Sequence, residues 1–203
     1  MDQEALWRGA FGDDYIGRNS PTQDKLAALT AHWAQVLRAT AGAPPRSVLE
    51  VGANIGLNLM ALRRVTTAEL IAVEPNATAL AKLAEAGAAD RVLDGLASSL
   101  PLPDASVDLA FTSGVLIHIH PDRLEASCRE IHRVSRRYVA CIEYFSDKPE
   151  EVLYRGHSQA LFKRDFGGFW MDLYPDLRLL DYGFAWKRAT GLDNLTWQLF
   201  EKR

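Results

Sequence analysis

The sequence predicts a Rossmann-like, doubly wound α/β fold, on three observations. Short apolar runs alternate with segments of helical periodicity from residue 47 to residue 143, which is typical of parallel strands with helices on both faces of the sheet. A glycine-containing turn follows the first of these runs. The last two strand-like segments, 177–187 and 195–200, predict an antiparallel hairpin. We therefore expect one domain over residues 1–203 with a seven-stranded, mostly parallel sheet.

Composition and net charge indicate which kinds of ligand and partner molecule to expect. The chain has 203 residues, a net charge of −3 and a pI near 6.0, which disfavours nucleic acid and other polyanions as ligands. Cys128 and Cys141 are predicted to be core thiols, with no disulfide and no metal site. The sequence shows neither a membrane-length apolar stretch nor a signal-peptide pattern. We expect a cytoplasmic monomer or homodimer that acts on a small molecule, without membrane or nucleic-acid partners.

The most informative stretch is the strand and turn that begin at residue 47. A predicted buried strand, 47–51, ends in a turn that carries Gly52 and Gly56, and a helix follows. Such a turn brings backbone N–H groups close to a ligand. Glu50, at the carboxyl end of the strand, indicates a ligand with an amino group, because a pyrophosphate has no use for a carboxylate there.

The pattern Glu-x-Gly-x-x-x-Gly resembles motif I of the class I S-adenosylmethionine (SAM) methyltransferases. A nicotinamide oxidoreductase is disfavoured, because Asn54 and Leu57 stand where the dinucleotide fingerprint needs glycines. Asn54 also replaces the usual middle glycine of motif I. The resemblance implies SAM as the cofactor and a Rossmann-like class I methyltransferase fold. Beside Glu50, the cofactor residues expected in the turn are Gly52, Ala53, Asn54, Ile55 and Gly56.

Further cofactor contacts are expected at the ends of the next strands. Glu74, followed by Pro75, ends the second predicted strand, where a carboxylate accepts hydrogen bonds from a ribose diol; the alternative is a solvated strand-end acid. Leu96 stands where many methyltransferases have an acid for the adenine amino group. We expect Leu96 to face adenine, with Asp94 as the alternative. Val115, after the fourth strand, is also expected at the cofactor.

The first 42 residues are predicted to form an N-terminal arm and one helix, which begins after Ser20 as its N-cap. The arm, residues 1–19, is rich in aromatic side chains. It either packs on the domain as a terminal segment or forms a lid over the cofactor. In the second case Phe11 and Tyr15 cover the cofactor and Arg18 lies near its carboxylate.

The whole chain is also similar to a narrower group, the pseudaminic acid biosynthesis-associated methylases. The blocks that carry this resemblance are Phe11–Tyr15 with Arg18 and Asn19, Gly114–Ile119, Glu143 and Tyr144, Tyr154–His157, Lys163–Phe166, Asp181–Phe184, and Thr196 with Trp197. The resemblance implies a methyltransferase that acts on O or N of a small acceptor. That acceptor would be a nonulosonic sugar of bacterial surface glycans, or its nucleotide or amino-sugar precursor.

Three residues at the ends of strands four and five are candidates for catalysis. His118 is a candidate general base because the unperturbed pKa of histidine lies near neutrality; the alternative is a purely architectural residue of the pocket. Glu143 and Tyr144 are candidates for a base or for orienting the acceptor. Their alternative is a buried structural pair.

Residues 146–175 interrupt the alternation of strands and helices, with a helix possible over 165–174, and are predicted to be an acceptor-side insertion. Their candidate substrate-binding residues are Tyr154, Arg155, His157, Lys163 and Arg164. Arginine suits carboxylates and phosphates, so an anionic acceptor is expected; the alternative is a solvated surface loop. A functional alternative for the chain is a SAM-binding regulator or pathway scaffold without turnover.

Overall fold

The computed structural model describes residues 3–156 and 158–203, in which seven strands form one sheet in the order β3-β2-β1-β4-β5-β9-β8. These strands are β1 (Ser47–Val51), β2 (Glu69–Glu74), β3 (Arg91–Asp94), β4 (Val107–Ser113), β5 (Ser135–Glu143), β8 (Arg178–Ala185) and β9 (Leu195–Glu201). Strands β1 to β5 are parallel, and β9 pairs antiparallel with both β5 and β8. The predicted fold is confirmed. Strand order reverses between β1 and β4, where sheets of this kind bind their ligands.

The helices lie between these strands and before them. They are α1 (Gln3–Arg8), α2 (Ala10–Ile16), α3 (Gln23–Arg38), α4 (Leu57–Leu62), α5 (Ala77–Glu85), α6 (Pro121–Val134), α7 (Phe166–Leu173) and α8 (Lys187–Thr190), with a 3₁₀ turn at Leu116–His118. The predicted start of α3 is wrong by two residues. Thr22, and not Ser20, is the N-cap, because the Thr22 hydroxyl accepts a hydrogen bond from the N–H of Lys25 at 3.3 Å.

The core has one apolar cluster on each face of the sheet. Trp33 of α3 and Phe111 of β4 belong to the first, with ring centroids 4.4 Å apart. Trp170 of α7 and Phe200 of β9 belong to the second. The strands are apolar almost throughout because both of their faces are buried. Cys128 and Cys141 are free and buried in the second cluster, as predicted.

The insertion after β5 is more ordered than the sequence indicates. Its predicted helix is α7, which Asp165 caps by accepting from the N–H of Gly168 at 2.8 Å. A two-stranded ribbon of β6 (Glu150–Glu151) and β7 (Phe162–Lys163) was not predicted. Its strands are two residues long, too short for a periodic pattern. In the described part of the chain no helix is long and apolar enough to cross a membrane.

Candidate active site

The turn between β1 and α4 has a backbone that suits glycine at three positions. Gly52, Asn54 and Gly56 have φ values of 75°, 49° and 80°. Left-handed backbone is costly for most side chains, but asparagine adopts it readily because its amide hydrogen-bonds locally. Asn54 therefore replaces the middle glycine of the motif without changing the shape of the turn.

The two glycines of this turn are also required by packing. A Cβ atom on Gly52 would lie 2.7 Å from Cγ2 of Val115, and one on Gly56 would lie 2.8 Å from Cβ of Ala88. Val115 therefore packs directly on the turn, at the place where the sequence predicts cofactor contact. Close approach of neighbouring side chains is a second reason for glycine, beside close approach to a ligand.

Glu74 joins the turn to the end of β2. Its Oε2 accepts from the N–H of Asn54 at 2.8 Å, and its Oε1 accepts from the N–H of Asn76 at 2.9 Å. Burial raises the pKa of this carboxyl above its usual range, while the two N–H groups and Arg8 oppose the rise. Each oxygen retains a second lone pair, so Glu74 can still bind a ligand hydroxyl.

A first cavity of about 670 Å³ lies at the carboxyl ends of β1, β2 and β4. Predicted cofactor residues in its wall are Tyr15, Gly52, Asn54, Glu74, Leu96 and Val115. Pro75 is also in the wall, and its carbonyl accepts from Arg8 at 2.9 Å. Asp94, the alternative adenine ligand, is not among the wall residues and instead pairs with Arg8 at 2.9 Å.

A second, smaller cavity of about 160 Å³ adjoins the first. The two cavities share Tyr15, Gly52, Asn54 and Gly114. The predicted residues that line only the second one are Glu50, Ala53, Ile55 and Tyr144. The motif I residues are therefore divided between the two spaces, with the glycine turn as their common wall. Gly56 lies behind the turn, against Ala88.

Glu50 lies in the wall of the second cavity with one oxygen anchored. Its Oε1 accepts from Nδ2 of Asn58 at 2.7 Å, and Oδ1 of Asn58 accepts from Nε1 of Trp33 at 3.1 Å. The residue is 2% exposed, and its Oε2 has no hydrogen-bond partner. Burial raises the pKa of this carboxyl to about 8. The fixed carboxyl therefore offers one oxygen to a ligand.

Helices α1 and α2 cover the first cavity. Nδ2 of Asn76 donates to the Trp7 carbonyl and to Oδ1 of Asp13, both at 3.1 Å. The Trp7 ring lies 4.7 Å from the ring of His118, and Trp7 and Tyr15 both line the cavity. These contacts attach the arm to β2 and to the 3₁₀ turn, in the position that the lid interpretation requires.

Arg18 lies in an aromatic cluster and outside the walls of both cavities. Its guanidinium lies over the rings of Tyr15 and Phe11, 5.2 and 5.8 Å from their centroids. Its Nη1 donates to the Tyr154 hydroxyl at 3.3 Å. In this arrangement Arg18 holds the arm to the insertion, and the structure does not bring it to the cavity as the sequence predicts.

His118 lines the first cavity as a neutral imidazole. Its Nδ1 lies 2.8 Å from the Ala160 carbonyl, which can only accept, so Nδ1 carries the proton and Nε2 the lone pair. Burial lowers the pKa of His118 to about 4. The ring is therefore unprotonated at neutral pH, but it is a weak base.

Glu143 and Tyr144 have different surroundings. Oε1 of Glu143 accepts from the N–H groups of Val115 and Leu116, both at 3.1 Å, and Glu143 lines neither cavity. Burial raises the pKa of Glu143 to about 7. These contacts favour the structural alternative for Glu143, which holds the 3₁₀ turn. Tyr144 faces the second cavity and donates its hydroxyl to Oδ2 of Asp193 at 2.9 Å.

The cations of the insertion are not at either cavity, contrary to the expected anion site. Lys163 pairs with Glu150 at 3.8 Å. The Arg164 and Arg155 guanidiniums lie over the rings of Phe169 and Tyr154, 4.4 and 5.7 Å from their centroids. Tyr154 contacts His118, with ring centroids 5.3 Å apart, but none of these four lines a cavity. His157, also expected there, lies outside the described residues.

His32 and Asp193 are among the residues of the second cavity that were not predicted. His32 belongs to α3, and Asp193 to the connection between β8 and β9. His32 occupies a helix position like that of a core residue, and Asp193 lies in a polar turn, so neither has a local signal. Among the described residues, no group of three or more His, Cys, Asp or Glu could hold a metal ion.

Comparison with known proteins supports the fold. Residues 49–142 match the model of the family described as "Methyltransferase domain". No curated protein matches the chain.

Three solved structures illustrate the range of similar folds. A Burkholderia thailandensis 1,6-didemethyltoxoflavin-N1-methyltransferase is 24% identical, with a TM-score of 0.71 over 98% of this chain and 88% of that one. The SAM-bound Synechocystis magnesium protoporphyrin IX methyltransferase is 11% identical, with a TM-score of 0.71 over 100% and 98%. The [4+2]-cyclase SpnF is 15% identical, with a TM-score of 0.63 over 85% and 80%. The chain therefore has the Rossmann-like methyltransferase fold, and its central residues match the methyltransferase domain family.

Proposed function

We propose that the protein is a SAM-dependent methyltransferase of a small molecule. The observation that carries this proposal is the first cavity, about 670 Å³, between the glycine turn, Glu74 and Leu96 at the carboxyl ends of the parallel strands. Its size is within the range of small-molecule sites. The family match over 49–142 supports the same activity.

The residues present fit SAM. Oε2 of Glu50 and Oδ1 of Asn54 are buried and without partners. The positive charge of a bound ammonium group favours the ionised form of Glu50, and both oxygens then accept from its N–H groups. Glu74 suits a ribose diol, because a carboxylate accepts from both hydroxyls. Leu96 gives an apolar surface for a purine. The bound cofactor supplies an electrophilic methyl group on a sulfonium.

The protein contributes mainly alignment and exclusion of water. Displacement at a methyl group needs the nucleophile, the methyl carbon and the leaving sulfur in line, and such positioning is worth many orders of magnitude in rate. The arm, with Trp7 and Tyr15 in the cavity wall, covers part of this space. His118 is a polar, neutral part of the wall, and its pKa of about 4 makes it a poor general base for a hydroxyl.

The acceptor proposed from the resemblance is a nonulosonic sugar or its nucleotide or amino-sugar precursor. This part of the proposal rests on the sequence blocks alone. An anion-binding contact from Arg155, Lys163 or Arg164 is not part of it, since these side chains are engaged elsewhere. A cytoplasmic location is proposed from the two free, buried cysteines.

The second candidate function is SAM binding without methyl transfer, as in a regulator or scaffold. It is favoured by the weak basicity of His118 and by the burial of Glu143 away from both cavities. The similarity to a [4+2]-cyclase is consistent with it, because one fold supports several chemistries.

Calorimetry with S-adenosylhomocysteine, followed by incubation with deuteromethyl SAM, tests both candidates. The protein is incubated with a small-molecule cell extract, and mass spectrometry looks for a product that is heavier by one deuteromethyl group, with heat-inactivated protein as the control. Methyltransferase activity predicts binding and a labelled product. Binding without a labelled product supports the second candidate, and absence of binding contradicts both.

A further inference from the structure

The second cavity collects buried polar atoms that have no partner. Nε2 of His32, Oε2 of Glu50 and Oδ1 of Asn54 are all without a hydrogen bond, and all three residues line this cavity. Unpaired buried polar atoms cost about 1–3 kcal/mol each, so their clustering indicates a ligand that pairs with them.

His32 is held rigidly by the core. It is 8% exposed, and its ring makes edge contacts with Trp33 and Trp197, at centroid distances of 6.3 and 6.1 Å. Burial lowers the pKa of His32 to about 4. A neutral ring in a fixed position offers a defined hydrogen bond to whatever enters the cavity.

Asp193 lies in the same wall and is held by two donors. The Tyr144 hydroxyl donates to Oδ2 at 2.9 Å, and Nζ of Lys187 donates to Oδ1 at 3.1 Å. Burial acts to raise the pKa of Asp193, but these two bonds outweigh it and the pKa is lowered. The half-exposed carboxylate remains ionised and keeps lone pairs for another donor.

Asn54 Oδ1 and the Asp193 carboxylate accept hydrogen bonds, whereas Nε2 of the neutral His32 ring accepts or donates according to its tautomer. Glu50 and Asn54 belong to the glycine turn and serve the cofactor in the proposed function. His32 and Asp193 come from α3 and the closing hairpin, and are left for the acceptor. A carboxylate or phosphate oxygen brings no donor for the ionised Asp193, whereas a hydroxyl or an amine can donate to Asp193 and also pair with Nε2 of His32 in either tautomer.

We infer that the second cavity receives the hydroxyl or amino group that accepts the methyl, with His32 and Asp193 as its hydrogen-bond partners. This inference rests on the proposed function. A lone pair on the acceptor oxygen or nitrogen forms the new bond to the methyl carbon as the carbon–sulfur bond breaks. The electron pair of that bond stays on sulfur and gives S-adenosylhomocysteine. The acceptor proton is released to water, and Asp193, whose lowered pKa makes it a weak base, only orients the acceptor by accepting its hydrogen bond.

The cavity also limits what is methylated. A volume of about 160 Å³ is below the usual 300–1,000 Å³ of a complete ligand site, so only the reacting part of the acceptor enters it. For a sugar acid, the ionised Asp193 in the wall disfavours a carboxylate by charge repulsion and favours a ring or side-chain hydroxyl, or an amine. The product is a methyl ether or a methylamine and not a methyl ester.

The test uses two variants, each with a matched control. His32→Phe keeps the ring contacts and removes the nitrogens, and His132→Phe is its control, because His132 also has a buried, unpartnered Nε2 but stacks on Tyr174 outside both cavities. Asp193→Asn removes the charge, and Asp181→Asn is its control on the same hairpin, where Asp181 pairs with Arg38 at 3.6 Å. Melting temperature, affinity for S-adenosylhomocysteine and labelled product from deuteromethyl SAM are measured for each.

We expect His32→Phe and Asp193→Asn to lower labelled product about 10- to 100-fold, the effect of one lost hydrogen bond to a charged or buried group. Affinity for S-adenosylhomocysteine should stay within about twofold of wild type, and both controls should retain full product. The label should resist mild alkali, which releases methyl esters as methanol.

Three results would overturn the inference. The first is undiminished labelled product from both variants. The second is loss of S-adenosylhomocysteine binding in both variants, which would assign His32 and Asp193 to the cofactor site. The third is a labelled product from which alkali removes the methyl group. Binding of S-adenosylhomocysteine by the wild type with no labelled product would contradict it as well. Absence of that binding would instead refute the proposed function.

Discussion

The glycine turn and the insertion after β5 differ in how their contacts are made. In the turn, Glu74 and Asn54 are joined through backbone N–H groups, and Val115 packs directly on Gly52. In the insertion, the cations contact side chains, such as Lys163 with Glu150 and Arg164 with the ring of Phe169. The turn is therefore a fixed element, at which we propose that the cofactor binds, whereas the cations of the insertion stabilise the insertion itself.

The largest expected effect is on the turn. Gly52→Ala should lower the free energy of unfolding by about 2–5 kcal/mol, because left-handed backbone costs about 1–2 kcal/mol and overpacking against Val115 about 1–3. Gly191→Ala is the matched control. Gly191 has a φ of 74° but open space around the added methyl, so this substitution should lower the free energy of unfolding only by the backbone term. Urea denaturation measures both, and equal losses would refute the packing explanation.

The next effect is a pH dependence of the stability of the fold, caused by His118 in the wall of the first cavity. The folded pKa of His118 is about 4, below the 6.5 of an exposed histidine, so the unfolded state binds more protons between these values. The stability that His118 contributes is fully present above pH 6.5 and is lost as the pH falls towards 4. The loss amounts to about 3 kcal/mol.

His118→Phe keeps a buried ring and removes this titration. The difference in free energy of unfolding between wild type and variant should shrink by that amount from pH 7 to pH 4. A difference that stays constant would show that the folded pKa is not depressed. Since the ring is already neutral above about pH 5, any effect of the substitution on turnover should be the same at pH 7 and pH 9.

A smaller effect is expected where the arm meets the cavity. Trp7→Ala removes the ring next to His118 and should weaken the binding of S-adenosylhomocysteine about tenfold, because an aromatic side chain is lost from the cavity wall. Trp186→Ala, at an exposed tryptophan of the closing hairpin, is the control.

In wild type, binding of S-adenosylhomocysteine should slow tryptic cleavage at Arg8 and Arg18. Equal cleavage with and without ligand would contradict the lid interpretation.

The smallest effect is expected in the cations of the insertion. Arg155→Ala should change the yield of labelled product by less than about twofold, because exposed charges that stack on a ring contribute little. The same holds for Lys163→Ala, whose ion pair with Glu150 is at the surface. A large loss of product, with cofactor affinity unchanged, would restore the anionic-acceptor hypothesis.

The same contrast explains what the sequence could predict. The alternation of strands and helices, the glycine turn, and the position of Glu74 at a strand end follow from local periodicity and glycine spacing, and parallel strands end at one edge of a sheet. Asn54 looked like a departure from the motif, yet its φ of 49° shows that it preserves the turn.

The rest depended on contacts between distant segments. Glu143 and Glu74 both end parallel strands in the sequence, but Glu143 is bound by the N–H groups of the 3₁₀ turn and faces no cavity. The sequence predicts an anion site at Arg155 and Lys163, but these side chains contact Tyr154 and Glu150. His32 and Asp193 line one cavity because α3 and the hairpin both border it, and no local sequence pattern indicates this.

The most direct test of the proposed cofactor site compares two glutamates at opposite ends of β2. Glu74 lies at the carboxyl end and lines the first cavity, whereas Glu69 lies at the amino end and pairs with Arg91 at 3.7 Å. In calorimetry, Glu74→Ala should weaken the binding of S-adenosylhomocysteine by about 1–3 kcal/mol, roughly 5- to 150-fold in affinity. Glu69→Ala should leave this affinity unchanged. Equal affinity of both variants and wild type would contradict the account.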